Sequence, residues 1–330
     1  MAASVASFSP SLFSFRKERA AAATVQEKEF SFLKYDQTPS DSTVDPHPIA
    51  VKHDGFWSYC GPSLECASTD DLPPSFHDFA AATFTGAVPD ALFPFLDFLR
   101  TFLAGHGLKH YLLTFRATTP THEFDRPRWH TDELFFSAIN GGDLPGTRLG
   151  LTSVYDDTKE SKKSQKTQPS SQAPPAGTNW KICTTLLGPS TMFIPLEHQI
   201  TARETQRRAR QDASTDHDCL SIRCVGCASS AETVRDTLAA ELAQYGIEVA
   251  GPGECAFFQV GRDAGAVHSE PRMDDGERGR IFVNVVPGTE DELRAMMEKW
   301  GMEFPRQWWI GSNVVKKPTH GASAASSTRE

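Results

Sequence analysis

Short extended runs separated by turn residues dominate the middle of this chain and constrain its fold more than any other feature. The runs lie at 111–116, 129–136, 148–155, 180–187, 191–196, 219–225, 254–260 and 280–286. Short strands bounded by turn-forming residues are typical of an antiparallel sandwich or barrel. The pattern therefore predicts an α+β, mainly β protein with helices beside the sheet.

Amphipathic segments predict the helices. They lie at 90–104, at 229–245, and between Thr289 and Gly301. Asp90 is the predicted N-cap of the first helix. Ser229 and Glu232, like Thr289 and Glu292, have the spacing of a capping box, in which the N-cap side chain and the acidic side chain satisfy each other's backbone N–H groups. We expect the last helix to pack on the outside of the sheet.

Low-complexity segments bracket and interrupt the predicted domain. Residues 1–45 and 313–330 are rich in small and polar residues without a sustained period, which predicts disordered tails. A tract of Ser, Lys, Gln and Pro predicts a flexible insertion at 157–179, inside a single domain of 46–312. We interpret residues 1–26 as a tail rather than an organelle transit peptide, which their composition also fits, and predict a cytoplasmic protein.

Composition narrows the possible partners. The net charge is −9, and no basic stripe interleaves with aromatic residues, so we predict no nucleic-acid partner. The longest apolar run, 91–104, is interrupted by Pro94, Asp97 and Arg100, which predicts no membrane span. Seven cysteines without framework spacing favour reduced thiols. A small, polar substrate fits this composition best, and the oligomeric state stays open.

A histidine and a carboxylate two residues apart give the strongest chemical signal. In an extended strand His130 and Asp132 project from the same face, where they can hold one metal ion. His268 lies just before a strand that begins with Arg280 and is the best placed third ligand. Two histidines and one carboxylate leave open coordination positions of the kind that ferrous oxygenases use. These residues predict a catalytic metal site.

These residues and their order resemble the Fe(II)/2-oxoglutarate-dependent dioxygenase superfamily, whose mark is a His-x-Asp, a distant His and a later Arg. The match, His130, Asp132, His268 and Arg280, covers the strand context of residues 108–288. The resemblance implies a double-stranded β-helix, or jelly-roll, core. It also implies Fe(II) on the two histidines and the aspartate, and 2-oxoglutarate as co-substrate. Arg280 would then pair with the far carboxylate of 2-oxoglutarate, since arginine offers a planar two-donor fork.

The resemblance further implies oxidation of a C–H bond of a small polar substrate by dioxygen, with hydroxylation, desaturation or ring closure as the outcome. An amino acid or a secondary-metabolite intermediate would suit this chemistry. Candidate substrate contacts are Arg116, Arg128, Arg148, Tyr155 and Lys181. The rival interpretation is a cupin-like metal-binding protein that is not catalytic, or that uses dioxygen without an oxo acid.

Simpler interpretations of single residues stay open. His268 could be a loop histidine bonded to Ser269 or Glu270, and Arg280 could pair with acidic residues of 274–277. Alternatives to Arg280 are Arg272 and Arg278. His217, Cys219, Cys224 and Cys227 could form a zinc or redox site, but they crowd into a short stretch, which favours buried free thiols. The basic run Arg203, Arg207, Arg208 and Arg210 predicts a solvated helix face.

Overall fold

The computed structural model describes residues 28–36, 49–66, 68–136, 179–214, 224–273 and 278–311. The strands are β1 (Phe30–Lys34), β2 (Ala50–Val51), β3 (Gly55–Pro62), β4 (Phe84–Thr85), β5 (His110–Thr118), β6 (Trp180–Leu187), β7 (Met192–Phe193), β8 (Glu248–Val249), β9 (Glu254–Gln259), β10 (His268–Ser269), β11 (Arg280–Gly288) and β12 (Arg306–Gly311). The helices are α1 (Pro74–Thr83), α2 (Val88–Gly105), α3 (Gln199–Asp212), α4 (Val225–Leu242) and α5 (Glu290–Lys299).

Antiparallel pairing organises the strands into one large sheet and two small ones. The large sheet has seven strands in the order β1-β9-β6-β11-β5-β3-β12, and a three-stranded sheet has the order β10-β7-β8. A third sheet pairs β2 with β4. Every named strand pair is antiparallel. The predicted α+β class with mainly antiparallel strands is therefore confirmed.

The outer face of the large sheet is apolar and packs against α1 and α2. Side chains alternate along a strand, so Ile281, Val283 and Val285 of β11 all point outward and are fully buried. Trp57 of β3 meets Phe76 of α1 edge to face, with ring centroids 5.1 Å apart. This layer forms the largest hydrophobic cluster among the described residues, so it holds the helices on the sheet.

The inner face of the large sheet meets the three-stranded sheet. Phe30 of β1 stacks on Phe193 of β7 with centroids 4.8 Å apart, and Phe258 of β9 lies 5.3 Å from the same ring. These residues belong to a second buried cluster that joins the two sheets. The two sheets therefore face each other, and the candidate site lies between them.

Helix α5 covers one end of that inner face. Leu293 and Met297 pack with Leu112 of β5 and Val286 of β11. The capping box predicted before this helix is confirmed, because the hydroxyl of Thr289 accepts from the Glu292 N–H while the Glu292 carboxylate accepts from the Thr289 N–H.

The other helix starts were predicted wrongly. Helix α2 begins at Val88 rather than after Asp90, which is an exposed residue of its first turn, and Pro89 supplies the start signal. Helix α4 begins at Val225, so Ser229 lies inside the helix. The carbonyl oxygen of Ser229 accepts a hydrogen bond from the hydroxyl of Thr233. At the start of α2, Val88 is buried in the core, so an apolar contact extends that helix beyond Asp90. Val225 at the start of α4 is 82% exposed, so apolar packing does not explain its earlier start.

Several strand predictions also need correction. The domain was predicted to begin at residue 46, yet Phe30–Lys34 pairs with β9 inside the large sheet. The segment 129–136 forms no strand; it has only an isolated bridge at His130. The strand predicted at 191–196 shortens to Met192–Phe193, because Pro195 leads into a 3-10 helix. Of the strand predicted at 219–225, only residues 224 and 225 are described. They are the N-cap and the first residue of α4.

The remaining predictions on chain organisation fall on other parts of the chain. The predicted strand at 148–155 lies outside the described residues, as do nearly all of the predicted insertion and the predicted C-terminal tail. Within the described ranges, no helix combines the length and apolarity needed to cross a membrane.

Candidate metal centre

Backbone pairing brings the two predicted histidine ligands together. His130 and His268 face each other across an isolated antiparallel bridge, in which each N–H donates to the other's carbonyl at 2.9 Å. Their imidazole rings lie with centroids 4.4 Å apart. His268 also pairs with Phe193, so the bridge joins His130 to the edge of the three-stranded sheet. Two distant segments thus present their imidazoles at the same place.

Each imidazole is oriented by a backbone carbonyl. Nδ1 of His130 lies 2.7 Å from the carbonyl oxygen of Arg128, and Nδ1 of His268 lies 2.9 Å from that of Ala266. A carbonyl oxygen only accepts, so each Nδ1 carries a proton, and Nε2 is the ring nitrogen that faces Asp132. Metal-binding histidines in proteins use the same kind of second contact to orient the ring.

The carboxylate of Asp132 completes the group. Oδ1 lies 3.8 Å from Nε2 of His130, and Oδ2 lies 3.7 Å from Nε2 of His268. The three ligand atoms all lie within 4.8 Å of one another. Ligands about 2.1 Å from a shared ion are at most about 4.2 Å apart, so both carboxylate separations suit one ion. The carbonyl of Asp132 accepts from Gly261, which holds its backbone in place.

The protonation states of the ligands also suit a metal. Burial alone would raise the pKa of Asp132, but Lys181, His268 and His130 outweigh it and hold that pKa well below its usual range. Burial, reinforced by His130, lowers the pKa of His268 to about 4. At neutral pH the site therefore offers an ionised carboxylate and a neutral His268 imidazole. Metal binding requires these deprotonated forms.

Lys181 also reaches the centre, where the sequence predicted only a substrate contact. Its Nζ donates to Oδ2 of Asp132 at 2.8 Å, and the side chains of the two residues are only 13% and 17% exposed. Residue 181 lies on the inner face of β6, opposite Phe258 of β9. Its ammonium lies 5.6 Å from the centroid of the Phe258 ring. Lys181 is thus part of the immediate surroundings of the centre.

Arg280 is a buried cation at the start of β11. Its Nε donates to the carbonyl of Pro189 at 2.9 Å and its Nη2 to the hydroxyl of Thr191 at 3.1 Å. The guanidinium carbon lies 4.6 Å from the centroid of the Phe282 ring. Burial lowers the pKa of Arg280 to about 10, which still leaves it charged at neutral pH.

A glycine allows the turn before β7 to approach Arg280 closely. Gly188 has a φ of +82°, and a Cβ there would lie 2.7 Å from the carbonyl oxygen of Gly279. The Gly-Pro turn therefore depends on glycine at this position. Thr191 follows in the chain and leads directly into β7, whose Phe193 pairs with His268. The same short segment thus connects the arginine site to the histidine site.

The alternatives to Arg280 are exposed. Arg272 has a 66% exposed side chain near Asp125, and Arg278 is also exposed. The acidic residues of 274–277, which could have paired with Arg280, lie outside the described residues. Of these three arginines, Arg280 alone combines burial with a position between the two sheets.

Two polar residues of the interior, Asn284 and Glu270, were missed as candidate site residues. Asn284 donates to the hydroxyl of Thr114 at 3.2 Å, while its own Oδ1 is buried and has no partner among the described residues. Oε2 of Glu270 is likewise buried and unpartnered there. Asn284 shares a face of β11 with Arg280, so strand alternation was a signal that could have found it. Glu270 has no comparable signal.

The other four predicted substrate contacts differ in their position and their partners. Arg116 lies opposite Phe282 on the inner face of β5. Arg128 instead donates to the carbonyl and carboxylate of Glu123. Arg148 and Tyr155 lie outside the described residues.

The remaining sequence candidates lie away from the centre. Cys224 is the N-cap of α4 and Cys227 lies in its first turn, whereas His217 and Cys219 lie outside the described residues. On α3, Arg207 and Arg208 are more than half exposed, as a solvated face requires. Arg203 contradicts that prediction, because it is only 10% exposed and pairs with Glu29.

Comparison with known proteins identified no family model, no curated protein and no solved structure that matches this chain.

Proposed function

We propose that this chain is an Fe(II)/2-oxoglutarate-dependent oxygenase built on a double-stranded β-helix. The observation that supports it best is the convergence of His130, Asp132 and His268 with their ligand atoms within 4.8 Å of one another. Two histidines and one carboxylate on one side of an ion leave positions for a chelating co-substrate and dioxygen.

The order of the strands supports the proposed fold. From β5 the chain passes to the bridge at His130, returns to the large sheet at β6, and crosses again to β7 and β8. It then returns at β9, crosses to β10 and ends this alternation at β11. Repeated crossing between two facing antiparallel sheets is expected of a jelly roll, and this strand order supports the proposed fold.

Iron(II) chelated by 2-oxoglutarate would supply dioxygen activation, with the net reaction RH + O2 + 2-oxoglutarate → ROH + succinate + CO2. The protein's own part is to hold and orient the reactants. Arg128 and Ala266 direct the two imidazoles through their carbonyl groups. Desaturation or ring closure of the substrate would need the same ligand set.

Arg280 is the proposed anchor for the far carboxylate of 2-oxoglutarate. Its hydrogen bonds to Pro189 and Thr191 hold the guanidinium in place while it stays charged. A fixed, buried guanidinium binds a carboxylate strongly because its donors form a planar fork. For the substrate, the unpartnered oxygens of Asn284 and Glu270 supply acceptors, which favours a small polar molecule such as an amino acid or a related metabolite.

Anaerobic reconstitution tests this function. We expect protein loaded with Fe(II) to develop a saturable visible charge-transfer band when 2-oxoglutarate is added. An Arg280→Met variant should bind Fe(II) equally well but need about 10- to 100-fold more 2-oxoglutarate, since hydrogen bonds to charged groups contribute about 1.5–3 kcal/mol. Arg278→Met is the matched control, because Arg278 is exposed.

Two results would contradict the function. The first is Fe(II) binding without any response to 2-oxoglutarate, which would favour the cupin-like alternative. The second is equal 2-oxoglutarate affinity in wild type and the Arg280→Met variant. After a positive result, succinate release across a library of amino acids and small acids would identify the substrate class.

A further inference from the structure

The ion pair between Lys181 and Asp132 engages a carboxylate oxygen of the metal centre. Oδ2 of Asp132 accepts from Lys181 at 2.8 Å and lies 3.7 Å from Nε2 of His268. The oxygen that faces His268 is therefore also the oxygen that holds the ammonium. A metal ion bound by these ligands would have a lysine cation beside it.

Lys181 is held in this position from more than one side. Its side chain is 13% exposed, and its ammonium lies over the ring of Phe258, whose centroid is 4.9 Å from that of His268. Residues 181 and 258 are opposite each other in the pairing of β6 with β9. A buried lysine in a regular strand cannot swing freely into solvent, so its charge stays near the centre.

The role of Lys181 follows from the charges around it without and with a bound metal ion. Without a metal, the carboxylate of Asp132 and the ammonium of Lys181 compensate each other. A divalent ion adds two positive charges next to Lys181, and like charges at this range repel strongly in a partly buried site. An anionic ligand on the metal beside Asp132 would relieve that repulsion and give the ammonium a new acceptor.

We propose that Lys181 selects anionic metal ligands: it neutralises Asp132 in the metal-free protein and, after metal loading, donates to a carboxylate bound to the metal. This role extends the proposed function, because it assigns the carboxylate next to the 2-oxo group to Lys181 and leaves the far carboxylate to Arg280. Lys181 is a binding residue here, and its role holds for any carboxylate ligand of the metal.

Binding of Co(II) and of simple ligands tests the proposal without turnover. The variants are Lys181→Met, which keeps the length and loses the charge, and Lys181→Arg, which keeps the charge. Lys109→Met is the matched control, since Lys109 is exposed and precedes β5 at the end opposite Thr118. Visible absorption of Co(II) reports metal binding first, then titration with oxalate as the anion and imidazole as the neutral ligand.

We expect Lys181→Met to bind Co(II) about tenfold more tightly at low salt, because a competing and repelling cation is gone. The loaded variant should lose about 10- to 100-fold in oxalate affinity, while imidazole affinity stays within about twofold of wild type. Lys181→Arg should retain most of the oxalate affinity, and Lys109→Met should behave as wild type in every titration.

Two outcomes would overturn the proposal. Weaker Co(II) binding in Lys181→Met would mean that the lysine only positions Asp132. Unchanged oxalate affinity would mean that it contacts no ligand. If Lys181→Met does not fold, loss of oxalate selectivity over imidazole in Lys181→Gln supports the proposal, and retained selectivity overturns it.

Pyruvate separates this inference from the proposed function. Pyruvate carries the 2-oxo acid group of 2-oxoglutarate and lacks the far carboxylate. Lys181→Met should weaken pyruvate and 2-oxoglutarate alike, whereas Arg280→Met should weaken 2-oxoglutarate alone. If wild type shows no preference for 2-oxoglutarate over pyruvate while Lys181 still governs oxalate, the proposed co-substrate is wrong and the anion-selecting role stands.

Discussion

The two faces of the seven-stranded sheet differ although the same strands build them. On the outer face Phe115, Ile182 and Val283 are fully buried among other apolar side chains. On the inner face the neighbouring positions in the chain are Arg116, Lys181 and Asn284. Because successive side chains point to opposite faces, one set of strands can carry a hydrophobic core and a polar site at once.

The inner face is polar only where the candidate site lies. Near α5 it is again apolar, with Leu112 and Val286 packed on Leu293. Burying a polar group without a partner is costly, and burying a charge is more so. The charged inner residues are accordingly paired or bonded, as Lys181 with Asp132 and Arg280 with Thr191 show. The difference teaches that the outer face and the α5 end stabilise the fold, whereas the polar patch is available for ligands.

Removing the carboxylate of Asp132, a candidate metal ligand, should have the largest effect on the inner face. We expect Asp132→Ala to lose about 100-fold or more in metal affinity, since even partners of metal ligands contribute 10- to 100-fold. It should also lower the free energy of unfolding of the metal-free protein by about 3 kcal/mol, because Lys181 would be left buried and unpaired. Metal titration and denaturant unfolding measure the two effects.

A double variant separates these effects. Asp132→Ala combined with Lys181→Met should recover part of the lost stability but none of the metal affinity. Asp125→Ala is the control, because that carboxylate is 43% exposed in the neighbouring loop. Full stability in Asp132→Ala alone would show that the ion pair contributes nothing.

Truncating an aromatic side chain of the outer face should lower the free energy of unfolding and leave metal affinity unchanged. Phe115 is fully buried against Trp57 and Phe76, with centroids 5.8 and 5.1 Å away. We expect Phe115→Ala to cost about 3–5 kcal/mol of unfolding free energy through the cavity that it leaves. Metal affinity of the folded fraction should stay at the wild-type value, and Phe115→Leu should cost clearly less. A change in metal affinity that exceeds the change in stability would mean that the faces are not independent.

Acid should weaken the metal-free protein through His268. Its folded-state pKa of about 4 lies below the usual histidine pKa of about 6.5, so the unfolded chain binds more protons between these values. The free energy of unfolding should therefore fall as pH drops from about 6.5 to about 4, by on the order of 3 kcal/mol, and be insensitive to this group above that window. Unfolding at several pH values, wild type against His268→Gln, checks it; equal slopes in that window would contradict it.

The smallest effect is expected at the cap of α5. Thr289→Ala removes the acceptor of the Glu292 N–H and should cost about 1 kcal/mol of unfolding free energy. Metal affinity should not change, because α5 covers the apolar end of the inner face. Thr289→Ser is the control and should retain most of the stability. A change in metal affinity in Thr289→Ala would show that the α5 end of the inner face affects the candidate site.

The sequence was sufficient where the signal is local. The strands β5, β6, β9 and β11 and the capping box at Thr289 depend on neighbouring residues, and all were predicted. The three ligand atoms also converge as expected, although His130 and Asp132 lie on an irregular segment rather than on the predicted strand. A His-x-Asp pair can hold an ion in either conformation, so the wrong secondary structure did no harm there.

The tertiary structure alone decided which distant residues meet. Nothing in the sequence around Phe30 indicates that it stacks on Phe193, and nothing around Lys181 indicates that it pairs with Asp132. Such contacts depend on strand order and register across the two sheets, which are fixed by the packing of the whole chain rather than by local propensity. The sequence by itself determined the types of the candidate ligands and the main strands of the large sheet; the pairing of the sheets decided which charges surround the candidate ligands.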